Sequence, residues 1–317
     1  MPRSSRVSTA PLSVQLLREG IVESVHQVHV AVADSRGRVL SAAGDADTAS
    51  FIRSSLKPFQ AMAVISTGAL DVFKLTDKDL AVICGSHQGR TEQARQVCGI
   101  LWRADLEPTC LQCPVPAGKK SPLQHNCSGK HAGMLAVCKQ QSWELNTYLH
   151  RNHPVQKLIL SRFASLLGMP SDEFIGAHDD CGAPTYFMQL RQMATLYAKL
   201  SSGENLEMER IVRAMTHHPE MVSGPGGFDT ELMRLTDGEI LSKSGAEGIQ
   251  CISRVGEGMG IALKVLDGSK RAKYAAALHV LRQLGWISPD TADLLAETYL
   301  HLSDYKRLDM VGDIALD

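Results

Sequence analysis

The chain has 317 residues, of which 44% are apolar and 21% charged, with a net charge of −1. That is the composition of an ordinary globular protein of one large domain or two moderate ones. Near-neutral charge argues against nucleic acid or an anionic membrane as partner, and apolar runs such as Ala61–Ser66 are too short to span a bilayer.

Residues 1–17 carry Arg3 and Arg6 and lack the apolar core of a secretory signal, so they read as an N-terminal extension. "HQVHVAVAD" and "VLSAAGD", separated by the turn "SRGR", predict two strands within residues 21–45. From Ser54 to about Leu200 the pattern turns helical. "HPVQKLILSRFASLLG" has apolar residues at helical spacing and Gly168 as its stop, and "CGAPTYFMQLRQMATLYAKLSSG" repeats that logic. Strand character returns from about Glu239, and "KRAKYAAALHVLRQLG" and "SPDTADLLAETYL" read as closing helices. Strands near both ends with helices between predict an α+β fold. Residues 18–53 and 226–317 are expected to form a sheet-containing domain and 54–225 a mainly helical one.

"FIRSSLKPFQA" carries the first chemical signal. Ser54 reads as the N-cap of a helix starting at Ser55, with Pro58 in the first turn, where proline loses little. Residues three apart share a helix face, which would pair Ser54 with Lys57. The positive end of the helix dipole and burial both disfavour a charged lysine there, and a neutral amine is a competent base for a serine hydroxyl. The same dipole, with backbone N–H groups at the Ser54 end, would favour an oxyanion. Against this stands the plain reading, that S-x-x-K occurs by chance in many helices. "CGSHQGRT" adds Ser86 in a glycine-flanked turn, and "LSKSGAEG" adds Lys243 on an expected strand. S-x-x-K, a serine loop and K-[ST]-G in this order are the motifs of penicillin-recognising serine enzymes.

Eight cysteines stand at 84, 98, 110, 113, 127, 138, 181 and 251. Without an export signal they are expected to be thiols or metal ligands in a reducing, cytoplasmic setting. Cys98, Cys138 and Cys251 lie in apolar surroundings and read as packing. "CLQC" (Cys110, Cys113) has metal or redox spacing but no second C-x-x-C follows. "HNCSGKHAG" and "AHDDCGAP" place Cys127 and Cys181 among polar residues. With Asp179, His125 or His131 these two could hold a borderline-soft cation such as Zn²⁺, or they are simply loop cysteines.

Taken together, "RSSLKPFQA", "CGSHQG", "HNCSGKHAGML", "DDCGAP" and "KSGAEG", below "REGIVESVHQVHVAVAD", resemble the Rhizobium etli-type (class 3) L-asparaginases from about residue 18 to about 310. The resemblance implies a serine β-lactamase/glutaminase-like fold, a homodimer, and hydrolysis of L-asparagine to L-aspartate and ammonia. It implies two serine–lysine tandems, Ser54 with Lys57 and Ser86 with Lys243, and a zinc site of Cys127, Lys130 and Cys181. Asp179 would lie beside the metal, and Arg53 and His131 in the substrate pocket. Where the family commonly has glycine between the aspartate and the cysteine, this chain has Asp180. A lysine ligand requires a deprotonated amine. The rival readings are a penicillin-recognising serine hydrolase, which the missing export signal disfavours, and a non-catalytic, zinc-stabilised binding protein.

Overall fold

The computed structural model describes residues 9–316. Strands β1 (Leu12–Arg18), β2 (Ile21–Asp34), β3 (Val39–Ala43) and the short β4 (Ala49–Phe51) come first. Helices α1 (Lys57–Ser66), α2 (Ala69–Val72), α3 (Asp77–Cys84), α4 (Thr91–Arg103), α5 (Ser128–Gln140) and α6 (Pro154–Leu167) follow. Next come β5 (Gly176–His178), β6 (Pro184–Gln189), α7 (Leu190–Leu200), α8 (Leu206–His217), α9 (Pro219–Val222) and α10 (Phe228–Leu235). The chain continues through β7 (Ile240–Ser244), β8 (Ile249–Arg254), β9 (Met259–Val265), α11 (Lys270–Gln283), α12 (Pro289–Tyr299), β10 (His301–Ser303), β11 (Lys306–Val311) and β12 (Ala315–Leu316). The fold is α+β, and among the described residues no helix is long and apolar enough to cross a membrane.

The chain divides into two compact units. One takes the described residues up to Ser50, Met188–Ser202 and those from Ser244 on; the other takes Phe51–Phe187 and Gly203–Lys243. The first is built on an antiparallel sheet in the order β10-β11-β1-β2-β9-β8. The long β2 pairs with β1 along its first half (Val28 opposite Leu12), with β3 along its second (Val30 opposite Ala43), and with β9 along the latter (Val30 opposite Leu263). Burial along β2 alternates from His26 to Val30 and then becomes continuous to Ala33. The alternation marks a half-covered strand, and the continuous run marks one packed on both faces. Helix α7 lies close against β9: a Cβ on Gly260 would stand 2.2 Å from the Ala194 carbonyl oxygen, so only glycine fits there.

The second unit is mainly helical. Helices α1, α3 and α5 pack on one another, α4 covers α5, and α8 covers α3. Every residue of α5 from Ser128 to Cys138 is buried, although "SGKHAG" is polar. A helix buried all round is expected to be apolar, so these polar residues answer to something other than packing. The β5–β6 pair (Gly176 opposite Tyr186) is tied to α6 by ring contacts of Phe163 with Tyr186 and Phe174, centroids 5.0 and 5.1 Å apart.

Several expectations change here. Residues 1–8 lie outside the described residues, but from Leu12 the supposed extension is already a sheet strand, its alternate residues Leu12, Val14 and Leu16 being buried. "PTYFMQ" is strand, not helix, and α7 begins only at Leu190. Strands β10–β12 beyond α12 were not foreseen, since "HLS" and "KRLDMV" are short and largely polar on their exposed face. The unit limits also differ from 18–53, 226–317 and 54–225: α7 goes with the sheet, and residues 226–243 go with the helices.

Candidate active site

The helical unit gathers the chemistry-bearing residues around one hydroxyl. Helix α3 ends at Gly85, whose extended backbone turns the chain toward Ser86. The turn is clamped: the Ser86 N–H donates to the Val222 carbonyl at 2.6 Å, and a Cβ on Gly85 would meet the Met221 carbonyl oxygen at 2.4 Å. Two fully buried lysines reach the Ser86 hydroxyl. Lys57 Nζ, from α1, lies 3.0 Å from Ser86 Oγ, and Lys243 Nζ, from β7, also 3.0 Å. Lys57 Nζ further donates to the carbonyls of Gly85 at 2.5 Å and Asn126 at 3.1 Å. A buried amine is tolerated only with all its polar valences answered, and these three partners answer them.

The Ser54 hydroxyl, by contrast, makes no hydrogen bond among the described residues, and Lys57 bonds Ser86 rather than Ser54. Ser54 is not an N-cap. Arg53–Leu56 form a 3₁₀ turn, the first two helical segments are entered through Ile52 and Leu56, and neither entry has a side-chain cap. The Arg53, Ser55 and Lys57 N–H groups at this end are already bonded, to Thr185 Oγ1 and to the carbonyls of Ile52 and Ser54. They are not available to an oxyanion. Ser55, unremarked in the sequence, donates to the Lys243 carbonyl at 3.0 Å and so ties the α1 entry to β7.

Arg53 itself has a left-handed backbone, with φ of 53°. Its Nε donates to Asp179 Oδ1 at 2.7 Å and its Nη2 to Asp180 Oδ2 at 2.6 Å. Asp180 is 90% exposed, yet it holds the guanidinium from one side. A non-glycine residue in this backbone region costs about 1–3 kcal/mol and persists where the surroundings impose it.

Cys127, Lys130 and Cys181 converge, all buried, with Lys130 Nζ 3.2 Å from Cys181 Sγ. A hydrogen bond from the Cys181 thiol, with the charges of Lys57 and Lys130 outweighing burial, holds Cys127 well below the usual thiol range. The same hydrogen bond, together with burial, pushes Cys181 up. Burial works against a charged Lys130, but Cys127, Cys181 and Asp179 outweigh it and raise its pKa. The two sulfurs and Asp179 thus favour the charged form of the Lys130 amine. Two sulfurs and an amine within mutual reach in a dry pocket are also a donor set that suits a borderline-soft dication, which would displace the lysine proton. Among the described residues no three His, Cys, Asp or Glu side chains converge as a metal site, so His125 and Asp179 do not complete one. His125 Nδ1 instead accepts from the Cys127 N–H at 3.0 Å.

His87 follows the serine in the chain and is buried. It accepts at Nδ1 from the Gly89 N–H (3.0 Å) and reaches Ser128 Oγ through Nε2 (2.9 Å). Burial, then the Lys57 charge, lowers its pKa to about 3. His131 is completely buried, with Nδ1 2.6 Å from the Tyr148 hydroxyl. Cys113 is buried and its thiol faces the Pro122 carbonyl at 3.7 Å, while Cys110 is half-buried. Burial first, then Cys127, pushes Cys113 up to about 12, a thiol at any ordinary pH. All eight cysteines are free. Sequence reasoning missed Tyr148 and the Asn126 and Gly85 carbonyls. A single tyrosine in "LNTYLH" gives no signal, and carbonyl acceptors leave none in a side-chain pattern.

Comparison with known proteins supplies the class, a hydrolase. A family model described as L-asparaginase II matches residues 14–316, and the chain belongs to that family. No curated protein matches it. Similar solved structures include Mglu, at 17% identity and a TM-score of 0.42, with 87% of this chain and 68% of that one covered. Against other Mglu chains this chain spans less than two thirds of their length, 60% in one. A β-lactamase from Mycobacterium bovis is 13% identical at a TM-score of 0.39, over 86% of this chain and 95% of that one. EstCE1, a hydrolase with promiscuous acyltransferase activity, is 13% identical at 0.37, over 77% and 90%. Similarity at this level says nothing of the chemistry.

Proposed function

We propose that this chain hydrolyses L-asparagine to L-aspartate and ammonia, as an L-asparaginase of the Rhizobium etli type. The observation that carries the reading is the pair of buried amines, each 3.0 Å from Ser86 Oγ. A serine oxygen has two lone pairs, and N–H groups from Lys57 and Lys243 occupy both. Ser86 is then a poor nucleophile but a good relay: its own O–H is left to give. Ser54, half-buried and without a hydrogen bond, is free to attack. Its oxygen adds to the side-chain amide carbon and its proton passes to Lys57, which works in its uncharged form with a lone pair turned to Ser54 in place of one of its three acceptors. The carbon–nitrogen bond breaks as the relay, through the Ser86 O–H, returns a proton to the leaving ammonia. Water then cleaves the ester, giving aspartate and restoring the Ser54 hydroxyl. Catalytic contacts of this kind are often long before substrate binds and tighten in its presence, as the Ser54–Lys57 step requires.

Arg53 is suited to the substrate carboxylate, because Asp179 and Asp180 fix its Nε and Nη2 and leave Nη1 to give. Cys127, Lys130 and Cys181 are the residues that would hold a zinc ion, whose role when bound is to orient the charged α-groups of the substrate.

Ser54→Ala should abolish ammonia release, by at least about 10³-fold if an activated nucleophile is lost, and Ser86→Ala should lower kcat while leaving an acyl adduct on Ser54 detectable by mass spectrometry. An adduct trapped on Ser86 would move the attack there. Ammonia release from asparagine no greater than a buffer blank would end the reading. Chelation should raise KM and spare most of kcat at saturating substrate; complete loss at saturation would give the metal a larger part than orientation.

A further inference from the structure

Lys243 is joined to Ser86 by a second route besides its own side chain. The Ser86 N–H donates to the Val222 carbonyl at 2.6 Å, which ties the serine turn to α9. The Pro219 carbonyl of α9 accepts from Thr230 Oγ1 at 2.8 Å, which ties α9 to α10. The preceding residue of α10, Asp229, accepts at Oδ1 from Ser242 Oγ, also at 2.8 Å, which ties α10 to β7. Lys243 follows Ser242 on β7, and its Nζ returns to Ser86 Oγ at 3.0 Å. These hydrogen bonds run through α9, α10 and β7 and close a frame around the serine–lysine contact. Asp229, Thr230, Ser242 and Lys243 are all buried, and all lie in the helical unit.

Asp229 is the member of this frame whose chemistry demands a reason. The first turn of α10 favours an acid, because the helix dipole is positive there. Glu231 already answers to that: it pairs with Arg234 at 2.7 Å and accepts the Gly226 N–H at 3.0 Å. Asp229 is instead turned inward, where a carboxylate is unfavourable unless its oxygens are bonded. A carboxylate accepts a hydroxyl hydrogen more strongly than a neutral group does, so it makes a firm anchor for Ser242. Successive strand residues point to opposite faces, so Asp229 grips β7 on the side away from the Lys243 side chain and does not compete with Ser86. The Ser55 hydroxyl holds the Lys243 carbonyl at 3.0 Å. A lysine amine rides on a long flexible stem, and fixing the backbone at its root narrows the places the amine can reach.

We propose that Asp229 is a positioning residue for the Ser86–Lys243 pair: by holding Ser242 it fixes β7 where Lys243 Nζ meets the Ser86 hydroxyl. Its effect on turnover rests on the amidohydrolase reading; its effect on the pair does not. Asp229 touches neither the substrate nor the reacting atoms, and it acts as an acceptor of fixed place rather than as a charge.

Crystal structures and ammonia-release kinetics of three variants test this. Asp229→Asn keeps an acceptor and removes the charge. Its Nζ–Oγ distance should stay near the native 3.0 Å, and its kcat within about threefold of native. Ser242→Ala removes the donor to Asp229. Thr230→Val cuts the same frame between α10 and α9 while keeping the shape of the side chain, and takes the place of Ser242→Ala if that variant does not fold. In both, Lys243 Nζ should draw back beyond about 3.5 Å from Ser86 Oγ. Their kcat per folded molecule should fall about 10–100-fold, with KM within about threefold of native. A bond that served folding alone would lower thermal stability and leave kcat per folded molecule unchanged. A native distance and kcat in Ser242→Ala, or in its substitute, would therefore overturn the proposal. A loss in Asp229→Asn as large as in Ser242→Ala would overturn it too, since charge rather than place would then be what Lys243 needs. A native protein that releases no ammonia would overturn the amidohydrolase reading, while the crystal distances would still decide whether Asp229 sets the pair.

Discussion

At the scale of single residues, the candidate site depends on side chains whose charge is set by where they are buried. His87 is the clearest case, with its pKa lowered from 6.5 to about 3 by burial. The unfolded chain protonates this histidine near 6.5 and the folded chain does so only near 3, so between those values the unfolded state binds more protons. Stability therefore rises with pH across that window and is fully present above 6.5. A shift of this size corresponds to a few kcal/mol, one unit being about 1.4. Denaturant midpoints measured from pH 7 down to pH 4 should fall, and His87→Gln should flatten the fall; a parallel decline in the variant would show that other groups carry it. Residue identity was legible in the sequence where the chemistry is intrinsic. Ser86, Lys243, Cys127 and Cys181 were picked from their settings, and all four are in the helical unit described above. The pairing was not legible. Helical spacing put Lys57 with Ser54, and a 3₁₀ turn over Arg53–Leu56 keeps residues three apart on one face, but the long lysine side chain reaches across to Ser86, a choice that backbone spacing does not encode.

At the scale of elements, close approach between helices is what brings the site residues within hydrogen-bond distance. Helix α5 runs so near α3 that a Cβ on Gly129 would stand 2.1 Å from the Val82 carbonyl oxygen. Neither backbone can yield without moving Ser128 and Lys130 on one side or the Gly85 turn on the other. Gly129→Ala should destabilise the protein by about 1–3 kcal/mol, the usual cost of overpacking, and should lower kcat beyond what the loss of folded protein explains. An activity per folded molecule equal to the native value would show that the site tolerates a shift of α5. The elements were legible where the pattern was long: α6, α11 and α12 and strands β2, β8 and β9 follow from periodicity. They were not legible where short strands carry few residues per face. β6 was hidden because Tyr186 and Met188 suit a helix as well as a strand, and β11 because only Leu308 along it is fully buried.

At the scale of the whole molecule, the sheet draws its neighbours from distant parts of the sequence. β1 pairs with β11, Ser13 opposite Val311, and β2 with β9, Val28 opposite Val265. Helices α4 and α5 pack on each other from neighbouring stretches of the chain, whereas α3 also packs on the distant α8. Non-local pairing is slow to form because loop closure precedes any gain from contact. In pulse-labelled hydrogen exchange during refolding, amides of α4 and α5 should become protected before those of β9 and β11; simultaneous protection would mean one cooperative step. The same reasoning reaches the serine. Ser86 stands 29 residues from Lys57 and 157 from Lys243, and closing the longer loop costs about 1.5 kcal/mol more by chain statistics. On a growing or half-collapsed polypeptide the hydroxyl therefore acquires one amine early and the other late. A nascent chain would carry only half of its proton-handling machinery, and turnover would begin only when synthesis has passed β7.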